Sequence, residues 1–137
     1  MIATGIFTGY YPHTVDGVIG EIQKDRFSCV QLDVSFKDMD AAKEVLTKAK
    51  ANELRDRFLD ANLTVVAVSA YTNIIHHDKE QRRKNIGYIK MMMERALDLG
   101  SPYVASETGT YHPERHWMWD DRNASEAAYE ETAEVIY

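Results

Sequence analysis

Disulfide chemistry is missing from this sequence, whose one cysteine, Cys29, has no partner within the chain. A reducing cytoplasm is therefore the expected setting. Cys29 lies in an apolar stretch and reads as a small core residue rather than a nucleophile. No apolar run approaches the length needed to span a bilayer, so no membrane is expected among the partners. The first residues, MIATGIFTGYYPH, lack the basic start and long apolar middle of a signal peptide. Basic charge is short as well: 16 Lys and Arg face 22 Asp and Glu, for a net charge of −6. A general nucleic-acid binder carries a basic face for phosphates, so no nucleic-acid partner is expected. The one compact basic cluster, KEQRRK at 79–84, opens an expected helix and reads as a solvated helix face. There is no GxGxxG, P-loop, GxSxG or CxxC motif. No low-complexity segment or Pro/Gly linker marks a second domain.

What is present is the pattern of one ordinary globular domain. Its 137 residues, 45% apolar and 28% charged, can bury a real core. Strand and helix alternate four times. A strand within Ile2–Thr8 precedes a helix over about Asp16–Asp25, with Val18, Ile19 and Ile22 on one face. A strand over Ser28–Val34 leads, through SFKDMDAAKEV, to a helix over about Lys48–Ala61. Thr47 caps that helix, Leu54, Phe58 and Ala61 form its inner stripe, and Asn62 supplies a left-handed stop. A third strand over Leu63–Ser69 is apolar nearly throughout, as in a parallel strand covered on both faces. The third helix is expected over Lys79–Leu99, with an Asp78–Gln81 capping box and a stripe of Ile86, Ile89, Met93 and Leu97. Gly100 ends it, and MMM at 91–93 reads as core filling plus one exposed methionine. A strand over Tyr103–Glu107 and a helix from Asn123, with Glu126 completing its cap, close the series. That last helix carries no stop signal before Tyr137. The expected fold is therefore α/β, a parallel sheet with right-handed crossovers. Four βα units make a small open sheet, or half of a (β/α)8 barrel of ~250 residues.

In such a sheet ligands meet the carboxyl ends of the strands and the loops after them. All five histidines and both tryptophans fall in those expected loops. After strand one stand Tyr10, Tyr11 and His13, and at the end of strand two Gln31, Asp33 and Ser35. After strand three come Tyr71, Asn73, His76, His77 and Asp78, the last reading as a helix cap. Adjacent His76 and His77 in extended chain are expected to point apart, one to a pocket and one to solvent. After strand four come Glu107, Thr108, Tyr111, His112, His116 and Trp117. Glu107, as the last residue of a strand, is expected to face the ligand end. His112 and His116 have the spacing of a helical zinc pair, but Pro113 and the lack of HExxH argue against a self-contained zinc site. Trp117 and Trp119 either wall a pocket or pack their loop, and TGT at 108–110 is too short for a phosphate cradle. Carboxylate, imidazole, amide and aromatic groups together suit polyols and sugars.

The stretch LTVVAVSAYTNIIHHDKEQRRKNIGYIKMMMERALDLGSPYVASETGT resembles the sugar phosphate isomerase/epimerase family. This is the xylose isomerase-like TIM-barrel group, which includes AP endonuclease family 2. Asn73 and His76, Arg82 or Arg83, ALDLG, SETG and VQLDV carry the resemblance. It implies isomerisation or epimerisation of a small sugar or polyol by metal-assisted proton transfer. It also implies a divalent metal (Mn, Co, Zn or Mg) held by Glu, Asp, His and Glu on strands five to eight. Those strands lie beyond a four-unit chain, so the resemblance implies the N-terminal half of the barrel, truncated in helix four, with no metal bound by this chain alone. It implies Tyr10, Asn73, His76, Glu107 and His112 as substrate contacts.

Three functional expectations follow. The first is a fragment of a sugar isomerase/epimerase-like enzyme, inactive alone. The second is a self-standing half-barrel that homodimerises as a small-molecule binding domain, since open sheet edges invite pairing. The third is an AP endonuclease-like DNA-repair protein, against which the acidic balance argues.

Overall fold

The computed structural model describes residues 3–115 and 117–136. Its elements are β1 (Gly5–Phe7), α1 (Val15–Lys24), β2 (Cys29–Leu32), α2 (Lys48–Asp60), β3 (Thr64–Ser69), α3 (Lys79–Arg95), β4 (Val104–Ala105) and α4 (Glu126–Ile136). Single 3₁₀ turns occupy Thr8–Tyr10 and Asp121–Ala124. The four strands described are parallel and lie in chain order, β1-β2-β3-β4. The chain divides into two compact units, Met1–Ala70 with Met91–Ala105 and Tyr71–Lys90 with Ser106–Tyr137.

The first unit holds the sheet and is organised by apolar burial. Thr14 caps α1 and Thr47 caps α2, each hydroxyl accepting a backbone N–H from three residues on. Val18 and Ile22 of α1 and Leu54 and Phe58 of α2 are fully buried, as their helical spacing requires. Asn62 takes φ +59° just past α2, the expected left-handed stop. Val30 is in register with Val65 and Leu32 with Val68, so all four share one sheet face, and all four are buried. The opposite face carries Phe7, Cys29, Gln31 and Ala67, which are half-buried. Cys29 is thus not a core residue: it sits on the less covered side of β2. The pairing of β2 with β3 slips between Val30 and Gln31, leaving Val66 as an extra residue that is 47% exposed. The expected cover on both faces of β3 therefore fails at Val66 and Thr64.

Strand β4 is shorter than expected because its ladder can run only as far as its partner. The bonds Val68 N–H to Tyr103 O and Ala70 N–H to Ala105 O close the pairing where β3 ends. Glu107 consequently lies in the following loop, not on a strand.

In the second unit, Asp78 caps α3 by accepting from Glu80 and Gln81 backbone N–H groups. The expected reciprocal half of the capping box does not form, because the Gln81 side chain donates to Asn85 instead. Asn85 in turn donates to Asn73 O at 2.7 Å and is buried. This anchors the helix about one residue out of phase with the expected stripe. The buried positions of the helix and the turn after it are Asn85, Met92, Ala96 and Leu99, while Met93 is exposed and Leu97 is 73% exposed. The helix ends at Arg95, four residues early. Met92 is buried and Met93 exposed, as the MMM run suggested. Helix α4 starts at Glu126, with the Ser125 hydroxyl accepting from Ala128 N–H. Asn123 does not start it, because its amide is engaged with Thr110 and Tyr111.

Candidate functional site

The loop after β4 is built on a polar knot within the second unit. Asn73 Oδ1 accepts from Ile75 N–H and Thr110 N–H, and its amide nitrogen donates to Thr110 O at 2.6 Å. The Thr110 hydroxyl donates to Met118 O and accepts from the Asn123 amide and from His112 N–H. Asn123 Oδ1 accepts Tyr111 N–H at 3.0 Å. Every polar group of Thr110 is therefore satisfied in a buried position, which fixes the loop far more tightly than an exposed turn. Gly109 is required at its position. Its φ is +98°, and a Cβ there would collide with the Asn73 carboxamide.

Above this knot lies a cleft of about 220 Å³, lined by Glu107, Thr108, Thr110, Trp117, Trp119 and Asn123, among others. Trp117 is 73% and Trp119 67% exposed, so both present ring surface to solvent. Trp119 is oriented by its indole N–H, which donates to Asp121 Oδ1 at 3.0 Å. A ring face, a carboxylate, hydroxyls and an amide converge here. That donor set can stack on the C–H face of a sugar ring and bind its hydroxyls. A whole small-molecule site runs to roughly 300–1,000 Å³, so this cleft has the size of part of one.

A second network fastens α4. Tyr111 O–H donates to Glu131 Oε2 at 2.9 Å, and Arg82 meets the same oxygen at 3.0 Å. Burial, then the Glu131 hydrogen bond, push the Tyr111 phenol above its ordinary value. Arg122 stacks over the Tyr111 ring, donates to Tyr111 O and grips Asp120 through both carboxylate oxygens. That grip, with a backbone N–H from Arg122, holds Asp120 down at about 2.

The residues singled out by sequence are dispersed. Glu107 lines the cleft. Asn73 lies beneath it, 1% exposed with its carboxamide bonded to backbone, and has almost no surface to offer a ligand. His112 is half-buried, and its Nδ1 accepts Glu114 and Arg115 N–H groups, so the ring caps a turn. His76 and His77 do not point apart. Their segment is turned rather than extended, and the rings stack at 4.5 Å with 25° between planes. His76 Nδ1 accepts Asp78 N–H. His116 lies outside the described residues. Tyr10 belongs to the first unit, where it is exposed and meets Phe7 edge-on at 5.2 Å. In that unit Asp33, at the end of β2, is raised by burial, although Ser35 O–H donates to it. Among the described residues, no group of three or more His, Cys, Asp or Glu is placed to hold a metal. The side chains described do not fit a metal centre, and no step is assigned to one. No described helix is long and apolar enough to cross a membrane.

The role of Thr110 and Asn123 carried no signal in the sequence, since their bond spans 13 residues of irregular chain. Gly109 was visible only as the middle of TGT.

Comparison with known proteins places these features. The model of a family described as xylose isomerase-like TIM barrel matches residues 22–136. No curated protein matches the chain. Among solved structures, the chain is similar to D-psicose 3-epimerase, crystallised in the presence of D-fructose, with a TM-score of 0.60 and 15% identity. The alignment covers 98% of this chain and 46% of that one, so the chain spans about half the length of its structural relative.

Proposed function

The chain belongs to the xylose isomerase-like TIM barrel family, and from that premise we propose that it is the N-terminal half of a sugar isomerase or epimerase. The intact protein moves a proton beside the carbonyl of a small sugar or polyol. One observation carries this reading: the loop after β4 gathers Glu107, Thr108, Asn123 and two exposed tryptophans around one cleft. Glu107 and the tryptophans bind substrate; Asn73 positions the loop from below; His112 shapes the turn that follows. Tyr10 and His76 are each taken as substrate contacts by family resemblance alone. The groups that transfer the proton belong to the second half of the barrel, and this half alone is inactive.

The test uses the longest native product that carries this sequence. It is incubated in D2O with free and phosphorylated ketoses, with and without divalent metal. Nuclear magnetic resonance should show loss of the C–H signal beside the carbonyl. Exchange with no ketose under any condition sinks the reading.

A second reading rests on the sheet. Phe7, Cys29, Gln31 and Ala67 line a half-covered face, and β1 and β4 are free edges among the described strands. Two copies of the chain that cover those faces would form a homodimeric binding domain. Sedimentation of the isolated chain distinguishes the two: a stable dimer favours this reading, and a monomer that gains stability from a separate second half removes it.

A further inference from the structure

We propose that the cleft wall supplied by this chain selects an uncharged sugar and rejects its phosphate ester; the inference rests on the sugar-isomerase reading above. The family resemblance leaves phosphorylation open, but the local charge does not. Residues 106–137 contain eight Asp and Glu against two Arg, which equals the net −6 of the entire chain. Four of the eight, Glu107, Glu114, Asp120 and Asp121, fall in 106–123, the stretch that lines the cleft, and the other four lie on α4. Among the described residues the lining carries one charged side chain, the exposed carboxylate of Glu107, and no Lys, Arg or His. Of the two arginines, Arg122 is committed to both oxygens of Asp120 and to Tyr111 O, and Arg115 is not part of the lining. In the second unit the other Lys and Arg side chains belong to α3 and are not part of the lining; among them Arg82 is paired with Glu131 and Lys84 with Glu80. Phosphate recognition takes basic side chains or a cradle of backbone N–H groups. At the centre of this loop two such groups, Thr110 N–H and Tyr111 N–H, are consumed by side-chain amides. A dianionic ester would meet the Glu107 carboxylate with no basic side chain of the described lining to compensate, since Asp120 and Arg122 neutralise each other. A neutral ring meets only hydroxyl, amide and tryptophan surface.

The experiment titrates the longest native product that carries this sequence with D-fructose and with fructose 6-phosphate at low salt, following tryptophan emission. The free sugar should produce a saturable change, and the ester should bind at least tenfold more weakly. Glu107→Lys, at an exposed position whose exchange empties no core, should close or invert that ratio. An ester that binds as tightly as the free sugar overturns the inference. So does a ratio unmoved by Glu107→Lys, or an emission that neither ligand changes. The D2O experiment separates this failure from the larger one. Exchange with phosphorylated ketoses alone would end the inference and leave the reaction standing, whereas exchange with none would end the reaction.

Discussion

The two units of this chain are held by opposite means. Among the described residues, only Ile74, Ile75 and Ala128 of the buried apolar side chains fall in the second unit; the rest, from Val15 to Leu99, belong to the first. The buried polar residues of the second unit are Asn73, Asn85 and Thr110, all members of one hydrogen-bonded knot. Apolar burial is non-directional and tolerates change of shape, so it suits a frame. A buried polar network is directional and holds a loop in one geometry, so it suits a binding wall. The sheet unit is thus held by apolar packing, and the unit that carries the cleft by a buried polar network.

Several substitutions break or sharpen that contrast. The largest effect is expected in the frame: Phe58→Ala removes a fully buried ring and should cost about 3–5 kcal/mol, read as a fall in the denaturant midpoint. Asn73→Ala leaves Ile75 N–H, Thr110 N–H and Thr110 O without partners and should cost about 2–3 kcal/mol. Its signature is local. Amide exchange should accelerate at Ile75, Thr110 and Tyr111 while Val30 and Val68 keep their protection; equal acceleration in both units would erase the distinction drawn here. Gly109→Ala places a Cβ at positive φ against Asn73 and should cost about 1–3 kcal/mol in the same loop.

Acid provides a milder probe of the second unit. The Asp120 carboxyl is lowered from 3.8 to about 2, so its contribution is fully present above 3.8 and is lost as pH falls through about 2. Tryptophan emission should therefore shift between those values, and Asp120→Asn should abolish the shift. The smallest effect is expected at Leu97→Gln, within about 0.5 kcal/mol because the side chain is exposed. Met92→Ala, one turn away but fully buried, should cost about 2–5 kcal/mol. Equal costs at the two positions would restore the stripe that periodicity suggests.

The frame was legible in the sequence because its signals are local and periodic. Thr47, Leu54, Phe58 and Asn62 announce the start, face and stop of α2 within a short stretch, and each behaves as its chemistry requires. Periodicity misplaces the stripe of α3 because Asn85, a polar residue, lies on the buried side. Its partner is the backbone of Asn73, twelve residues earlier, and no periodicity rule contains that bond. The crowding of Glu107, Trp117 and Trp119 after the last strand is legible in the sequence, and the structure places all three in the lining of one cleft. Asn73 was legible as important but not in its role. Whether a polar side chain meets a ligand or a neighbouring backbone depends on burial, which an irregular loop does not encode. His76 and His77 show the same limit: their stacking follows from a turn where extended chain was expected.

If this chain is half of a barrel, the intact mass of the native product that carries it will show it. A half-barrel requires a native polypeptide roughly twice the 15.7 kDa of this chain, matching a barrel of ~250 residues. A native product of 15.7 kDa that remains a stable monomer at high concentration would contradict it.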